Sequence, residues 1–314
     1  MSSAPADSRI KAPQRPGDRI FSTSTVVAGS LILVVLAAVA IFLVVQSLPA
    51  LGAGKADLKG GANNFFEYVA PIIFGTVWAA AIALVIAVPI SLGIALFISH
   101  YAPRRLARAL GYIIDLLAAV PSVVFGLWGI TVLAPAVQPI YSGLADLMPW
   151  FPLFAGPVSG TGRTVLTVAI VLAVMILPII TALSREIFLQ TPVLHEEAAL
   201  ALGATRWEMI RIAVLPFGRP GIVSAAMLGL GRALGETMVV AMVLSPSFVI
   251  SFALLQSQNP TTAAANIALN FPEAHDVGIN VLIGTGLVLF IITLAVNMLA
   301  RWIVDRRKEF SGAN

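Results

Sequence analysis

Residues 72–98 have the sequence IIFGTVWAAAIALVIAVPISLGIALFI, which contains no Asp, Glu, Lys or Arg. About 20 apolar residues are enough for a helix to cross the roughly 30 Å hydrocarbon core of a bilayer. This segment is longer than that, and it carries no charge that would have to be buried in lipid. It therefore predicts a membrane-spanning helix.

Apolar runs of the same kind occur along the rest of the chain. Together with the first, they predict membrane spans at about 25–48, 72–98, 112–134, 164–183, 222–244 and 278–301. The composition agrees, since 59% of the 314 residues are hydrophobic and only 11% are charged, whereas soluble domains carry about a quarter charged residues. We therefore expect an all-α polytopic membrane protein with six transmembrane helices.

The positive charges indicate which loops face the cytoplasm, because cytoplasmic loops carry an excess of Lys and Arg. Most of the 19 Lys and Arg residues fall in the two terminal tails and in the loops 100–111 and 184–221. The alternate segments contain only Lys55, Lys59 and Arg163. This pattern places both termini in the cytoplasm, and it explains the net charge of +4 by topology rather than by nucleic-acid binding.

The domain organisation follows from these spans. Residues 1–24 are polar and contain several prolines, so we expect a disordered cytoplasmic tail there. Residues 25–302 form the transmembrane domain, and residues 303–314 form a second cytoplasmic tail. The longest cytoplasmic loop, 184–221, is the candidate for contact with a cytosolic partner.

Several classes of function find no support in the residue types. The chain has no cysteine and only three histidines, at His100, His195 and His275, so a cluster of metal ligands is not expected. The sequence contains no G-x-x-x-x-G-K-[ST] phosphate-binding loop, and no nucleophile is accompanied by a base. We expect no catalytic residues, no metal site and no cofactor.

The long cytoplasmic loop carries a full set of helix signals. Thr191 can cap a helix that starts at Pro192, and Gly203 can end it in the left-handed conformation. Thr205-Arg206-Trp207-Glu208 has the capping-box spacing for a second helix, which Pro216 should end. We expect two short helices joined at a glycine, lying either on the lipid surface or against a cytosolic partner.

The same loop resembles the EAA loop of ABC-importer permeases. The resemblance rests on Glu197-Ala198-Ala199, on Gly203 and on Leu215-Pro216, although the family pattern has isoleucine at the position of Ala213. In that family the first helix of the loop docks in a groove of a separate ATPase subunit. The resemblance therefore implies the fold of type I ABC-importer permeases and a set of ATPase-coupling residues: Glu197, Ala198, Ala199 and Gly203.

Arg232 and Glu236 lie inside the predicted fifth span, where charged side chains are costly and usually face protein or water. They are four residues apart, so on one continuous helix they share a face and could form an ion pair. A guanidinium group can also hold a phosphate-like oxyanion, while a nearby carboxylate keeps that attraction weak enough for release. The two residues are candidates either for a structural ion pair or for a solute path.

This segment and residues 115–129 closely resemble the permeases of bacterial phosphate importers, and the similarity extends over spans 2 to 5. The resemblance implies that Arg232 and Glu236 serve transport across a bacterial cytoplasmic membrane, and that ATP hydrolysis belongs to another subunit. It also implies the surroundings of the chain: phosphate as solute, membrane lipid, a second permease of the PstA type, a dimer of PstB-type ATPases and a PstS-type phosphate-binding protein.

Two alternatives stay open from the residues alone. A permease for another oxyanion, such as sulfate or molybdate, would carry the same loop and the same charges. A secondary transporter would use Glu236 and Asp115 to carry protons or ions. Because a secondary transporter needs no loop that docks an ATPase, the ABC-importer hypothesis is preferred over it.

Overall fold

The structure is a computed structural model that describes residues 16–308, with side chains over residues 17–302. Over this range the chain forms α-helices joined mostly by short connections. In chain order they are α1 (Pro16–Ser47), α2 (Phe65–Leu96), α3 (Arg104–Ala118), α4 (Ser122–Trp128), α5 (Ala134–Leu147), α6 (Val165–Leu189), α7 (Val193–Ala201), α8 (Arg206–Met209), α9 (Leu215–Leu234), α10 (Met238–Val243), α11 (Ala263–Asn270) and α12 (Val277–Lys308). Two short strands, β1 (Pro246–Ser247) and β2 (Asn259–Pro260), pair in parallel.

Three π-helical turns extend or join these helices. They lie after α2 (Phe97–Tyr101), between α4 and α5 (Gly129–Leu133), and between α8 and α9 (Ile210–Val214). Counting the joined helices as one, the described residues contain six helical stretches that are long and apolar enough to cross a membrane: Gly17–Gly52, Phe65–Tyr101, Ser122–Leu147, Val165–Leu189, Arg206–Leu234 and Val277–Trp302. The predicted all-α, six-span fold is confirmed.

The third long helix starts later than predicted. A helix was expected over 112–134, but α3 ends at Ala118 and the next helix starts at Ser122. Pro121 causes the break, because proline lacks the backbone N–H that would continue α3 and clashes with the preceding turn. α3 is instead a separate amphipathic helix whose buried residues, Gly111 and Ile114, face the helix bundle.

The fifth long helix differs from the prediction at both ends. Pro216 was expected to end the second loop helix, but the chain continues through it, without leaving the helix, from Arg206 to Leu234. The π-helical turn at Ile210–Val214 shifts the hydrogen-bond register just before the proline, so the missing N–H and the ring are tolerated. At the other end, the span predicted to reach residue 244 stops at Leu234.

The terminal tails are only partly described. Residues 1–15 and 309–314 lie outside the described range, and with them most of the two predicted tails. The expected disorder over 16–24 is wrong, because α1 already starts at Pro16. Proline is favourable at a first helical position, and Asp18 in the first turn suits the positive end of the helix dipole.

The core is built from α2, α6 and α9, which pack against one another. α2 contributes a row of fully buried small residues, Ala79, Ala80, Ala83 and Ala87. They lie in the same apolar cluster as large residues of α6, among them Leu172 and Ile176. Small side chains let helix backbones approach closely, which is how helices gain contact energy in lipid. α1 lies outside this core and packs along α12.

Candidate functional site

The fifth long helix breaks at Gly235, next to the two charged residues that the sequence singled out. α9 ends at Leu234, and the short helix α10 begins at Met238. Glu236 lies in the break with only 8% of its surface exposed, and its Oε1 accepts a hydrogen bond of 3.1 Å from the backbone N–H of Val239. A carboxylate at this position satisfies a free N–H group and matches the positive end of the α10 dipole.

Arg163 holds the opposite end of α10. Its Nε donates to the carbonyl oxygen of Val243 at 3.2 Å, and its Nη2 donates to those of Met242 at 3.2 Å and Leu244 at 3.0 Å. The last carbonyls of a helix have no partner within the helix, and a cation is favourable there. α10 is thus capped by a carboxylate at its start and by a guanidinium group at its end.

Arg232 does not pair with Glu236. Over the described residues the ion pairs are Lys59–Glu273 and His100–Glu196. The two residues do not share a continuous helix, because α9 ends between them and the Glu236 side chain turns to the backbone of α10. A structural ion pair inside span 5 is therefore not what the geometry supports.

Arg232 lines a cleft of about 1130 Å³ between α6, α9 and α12. Its Nε is buried and, within the described part of the chain, has no hydrogen-bond partner. The walls are mixed in character, with apolar side chains beside two arginines: Ile179, Val223, Ser224, Met227, Leu228, Gly231, Arg232, Leu294, Asn297, Met298, Ala300 and Arg301. An unpaired cation facing a cleft of this size can take an anion.

The glycines of this segment have separate environments. A side chain at Gly229 would collide with Ile180, at 2.7 Å from its Cδ1, so Gly229 allows the close packing of α9 on α6. Gly231 has open space where a side chain would be, and Gly235 is near only the carbonyl of Gly231. Gly231 and Gly235 are four residues apart, a spacing that lets another helix approach closely. The described residues of this chain make no such approach, and that surface is open.

The first loop helix, α7, ends as the sequence predicts. Gly203 has φ +88°, in the left-handed region, and the backbone N–H groups of Ala204 and Gly203 donate to the carbonyls of Ala199 (3.2 Å) and Leu200 (3.0 Å). This is the Schellman arrangement, in which glycine takes a conformation that costs other residues energy. No atom lies within 4 Å of where a Gly203 side chain would start. Glycine is needed there for its backbone and not for packing.

The start of α7 differs from the prediction by one residue. The residue that flanks the helix is Pro192, and the first helical residue is Val193. Thr191 does not cap: its side chain is buried, and its Oγ1 has no hydrogen-bond partner among the described residues. Tertiary burial of Thr191 has overridden the local signal. The capping box of the next helix is confirmed, since Thr205 Oγ1 accepts from Glu208 N and Glu208 Oε2 accepts from Thr205 N.

The four predicted coupling residues lie together at the joint of the two loop helices, but not on one surface. Ala199 is buried in a cluster with Phe188 and Met209, so it fixes α7 to the bundle. Glu197, Ala198 and Gly203 are exposed. Near them α7 presents large apolar side chains to the outside, with Leu194 76% and Leu202 90% exposed. Such a surface is typical of a docking site.

A second contact ties α7 to the end of the second long helix. His100 Nε2 lies 3.5 Å from Glu196 Oε1, and the imidazole is largely buried. The His100 Nδ1 lies 2.7 Å from Ser99 Oγ. Because α2 belongs to the central packing, α7 is attached to the core through this contact as well as through Ala199.

Sequence reasoning missed two features of the site. Gly235 followed by Thr237 is a helix stop and start signal, but the apolar residues on both sides suggested one continuous span. The role of Arg163 had no local signal, because its acceptors lie 79–81 residues further along the chain.

The six-span helical bundle, the exposed two-helix loop and the cleft with an unpaired arginine together define a membrane permease. Residues 87–309 match the family described as "Binding-protein-dependent transport system inner membrane component". The chain belongs to this family, whose members are permease subunits of ABC importers.

The relatives of the chain cover almost its whole length. It is 46% identical over 302 residues, 93% of either chain, to "Phosphate transport system permease protein PstC 2" of Mycobacterium tuberculosis. It is 41% identical over 307 residues to "Phosphate transport system permease protein PstC" of Mesorhizobium japonicum, with 94% of this chain and 92% of that one covered.

A solved structure has the same fold. It is the bacterial ABC transporter involved in the import of the acidic polysaccharide alginate, which matches with a TM-score of 0.61 and 15% identity and covers 92% of this chain and 99% of that chain. At this level of identity the match supports the fold alone.

Proposed function

We propose that this chain is the transmembrane permease subunit of an ATP-driven phosphate importer. The observation that best supports this function is the position of Arg232, whose unpaired guanidinium group lines a cleft between spans. Guanidinium groups bind phosphate oxyanions through several parallel hydrogen bonds. The relatives' names as phosphate transport permeases support phosphate over sulfate or molybdate as the solute.

Glu236 has a different part in this proposal from the one that the sequence indicated. Its carboxylate accepts the Val239 N–H and holds the start of α10, so it supports the path beside Arg232 rather than neutralising Arg232. A secondary transporter needs no loop that docks an ATPase, and the relatives' names as phosphate transport permeases give it no support.

The cytoplasmic loop supplies the coupling. In this proposal the exposed side of α7, with Glu197, Ala198, Leu194 and Leu202, docks on a separate ATPase subunit. The buried Ala199 and the left-handed Gly203 set the angle between α7 and the helix that continues into span 5. Movement of the ATPase then moves α9, which carries Arg232.

The remaining subunits follow from the same proposal. A second, similar permease completes the path, two ATPases bind the paired loops, and a phosphate-binding protein delivers the solute on the outer side. The open surface at Gly231 and Gly235 is available to the second permease. Both termini face the cytoplasm in this arrangement.

Reconstitution in proteoliposomes tests the function. The chain is co-purified with its permease and ATPase partners, and radioactive phosphate uptake is measured with and without ATP and the binding protein. We expect uptake that requires both and that excess sulfate or molybdate does not compete away. Uptake driven by an ion gradient without ATP, or equal uptake of sulfate, would contradict the proposal.

A further inference from the structure

Arg163 lies at an unfavourable position for a cation. It directly precedes Thr164, the residue that caps the start of α6 through a hydrogen bond from the N–H of Thr167. The start of a helix carries partial positive charge, which repels a guanidinium group. The side chain turns away from α6 and donates its three hydrogen bonds to the end of α10, as described above.

The backbone around Arg163 is held firmly from several elements. Asn259 in β2 donates from Nδ2 to the Arg163 carbonyl at 3.2 Å and accepts at Oδ1 from the Val165 N–H at 3.1 Å. On the other side, Gly162 has φ +69° and lies directly against the backbone of Ala134 at the start of α5. Arg163 is therefore presented from a rigid platform, which lowers the entropy cost of ordering its side chain.

α10 depends on contacts from outside itself. It has only six residues, and helices this short are not stable without tertiary support. Its buried face, Val239, Val240 and Val243, packs into the central cluster. Gly126 of α4 lies against it as well, since a side chain at Gly126 would meet the Met242 sulfur at 3.0 Å. The polar groups at its ends are satisfied by Glu236 and Arg163.

We infer that Arg163 is a positioning residue of the solute path. It fixes the outer end of α10 to the start of α6, and through α10 it holds the break at Gly235, where α9 ends beside Arg232. Arg163 does not line the cleft itself. That α10 belongs to a solute path rests on the proposed function, whereas its attachment by Arg163 rests on the hydrogen bonds alone.

Transport kinetics give the first test. Arg163→Gln removes the charge and the fork of donors, so we expect the maximal uptake rate per inserted complex to fall about tenfold or more, as for the loss of charge-assisted hydrogen bonds. The phosphate concentration for half-maximal uptake should change by less than about twofold, because no solute contact is lost. Arg163→Lys keeps a cation near the same carbonyls and should recover part of the rate. Lys55→Gln, at an exposed cation in the loop between α1 and α2, is the matched control and should leave the rate unchanged.

Thiol labelling gives a second test that needs no solute. The chain has no cysteine, so Ala241→Cys introduces a single thiol on the half-buried side of α10. A membrane-impermeant maleimide should label it about tenfold faster when Arg163→Gln is present, because the end of α10 opens more often. Ala53→Cys, buried in another cluster on the same side, is the control and should label equally slowly with and without Arg163→Gln.

The outcomes separate the two proposals. An unchanged labelling rate at position 241 in the Arg163→Gln background overturns the inference, and so does faster labelling with normal uptake. Faster labelling together with reduced uptake, and partial recovery of both by Arg163→Lys, supports it. A wild-type complex that takes up no phosphate contradicts the proposed function alone, since labelling is measured without phosphate.

Discussion

Three charged residues around α10 and the break before it have different contacts, and the role of each follows from what its side chain touches. Glu236 and Arg163 bond to the two ends of α10, where backbone groups would otherwise be unsatisfied. Arg232 is left facing the cleft with a buried Nε that has no partner in the described range. A buried donor without a partner costs free energy unless a ligand or water satisfies it, which is why Arg232 is the candidate for solute contact.

Arg232→Gln should reduce phosphate uptake about tenfold to hundredfold, since one charge-assisted hydrogen bond contributes roughly 1.5–3 kcal/mol. The variant should still insert and co-purify with its partners. Uptake per purified complex is the measurement. Arg219→Gln, at an exposed cation on the same helix, serves as the control and should transport normally. If Arg232→Gln fails to assemble, Arg232 has a structural role instead.

The role of Glu236 as a cap of α10 can be tested by comparing Glu236→Gln, which keeps a side-chain oxygen, with Glu236→Ala, which removes it. Glu236→Gln keeps an oxygen that accepts the Val239 N–H, so most of the uptake should remain. Glu236→Ala removes the cap and should lower stability by about 1 kcal/mol, as at other helix starts, and should reduce uptake further. Thermal unfolding in detergent and uptake assays measure the two effects. Equal and severe loss in both variants would show that the negative charge itself acts on the solute.

At the scale of the secondary-structure elements, the loop between α6 and α9 forms an elbow of two helices that is packed against the bundle. The left-handed Gly203 joins α7 to a helix that continues through Pro216 into span 5 without a break. Ala199 packs against the bundle, and His100 contacts Glu196 from the end of the second long helix. α7 is therefore attached to two spans, which is the arrangement that the proposed coupling requires.

Gly203→Ala should uncouple ATP hydrolysis from uptake. An L-residue in the left-handed region costs about 1–2 kcal/mol, and the open space at this position excludes a clash as the cause. Gly203→Asn should retain more activity, because Asn adopts this conformation more readily. Gly143→Ala, at a glycine with equally open space and an ordinary helical backbone, is the control. ATPase rate and phosphate uptake are measured on the same preparation, and full coupling in Gly203→Ala would contradict the elbow.

A substitution at Glu197 tests the proposed docking of the ATPase without disturbing the fold. It is exposed, and no hydrogen bond or ion pair to it occurs among the described residues. Glu197→Ala should therefore change the free energy of unfolding by no more than about 0.5 kcal/mol, while binding of the ATPase is weakened and uptake falls. Glu186→Ala, at another exposed glutamate near the C-terminal end of α6, is the matched control. Normal ATPase binding by Glu197→Ala would remove this residue from the docking surface.

At the scale of the whole molecule, the α7 elbow and the contact of Arg163 with α10 lie at opposite ends of the same helix bundle. The α7 elbow and the Arg163 contact both connect to the α2–α6–α9 core, one at each end of the long helices. α1 contributes little to this core, and its side chains over residues 17–47 are almost all exposed. In a membrane, lipid covers such an apolar surface, and in the proposed complex a second permease is available to cover it as well.

The orientation of the bundle can be measured with single cysteines, because the chain has none. Ala56→Cys, between the first two spans, should react with an impermeant maleimide in right-side-out vesicles. Ala201→Cys, on the exposed side of the elbow, should react only after the vesicles are opened. The opposite pattern would invert the topology and contradict the proposed direction of import.

The sequence alone determines the class of fold, the number of spans and the two-helix loop. Those features depend on local properties, namely the length of the apolar runs, the capping box at Thr205 and the backbone freedom of Gly203. A chain with this composition has few other ways to satisfy its backbone in lipid.

Only the tertiary structure decided what the charged residues around α10 contact. The sequence spacing of Arg232 and Glu236 suggested an ion pair, but the break at Gly235 turned Glu236 toward α10 and left Arg232 to the cleft. Arg163 acquired its role from carbonyls about 80 residues away. Hydrogen bonds between distant segments leave no periodic trace in a sequence, because they depend on how whole helices pack.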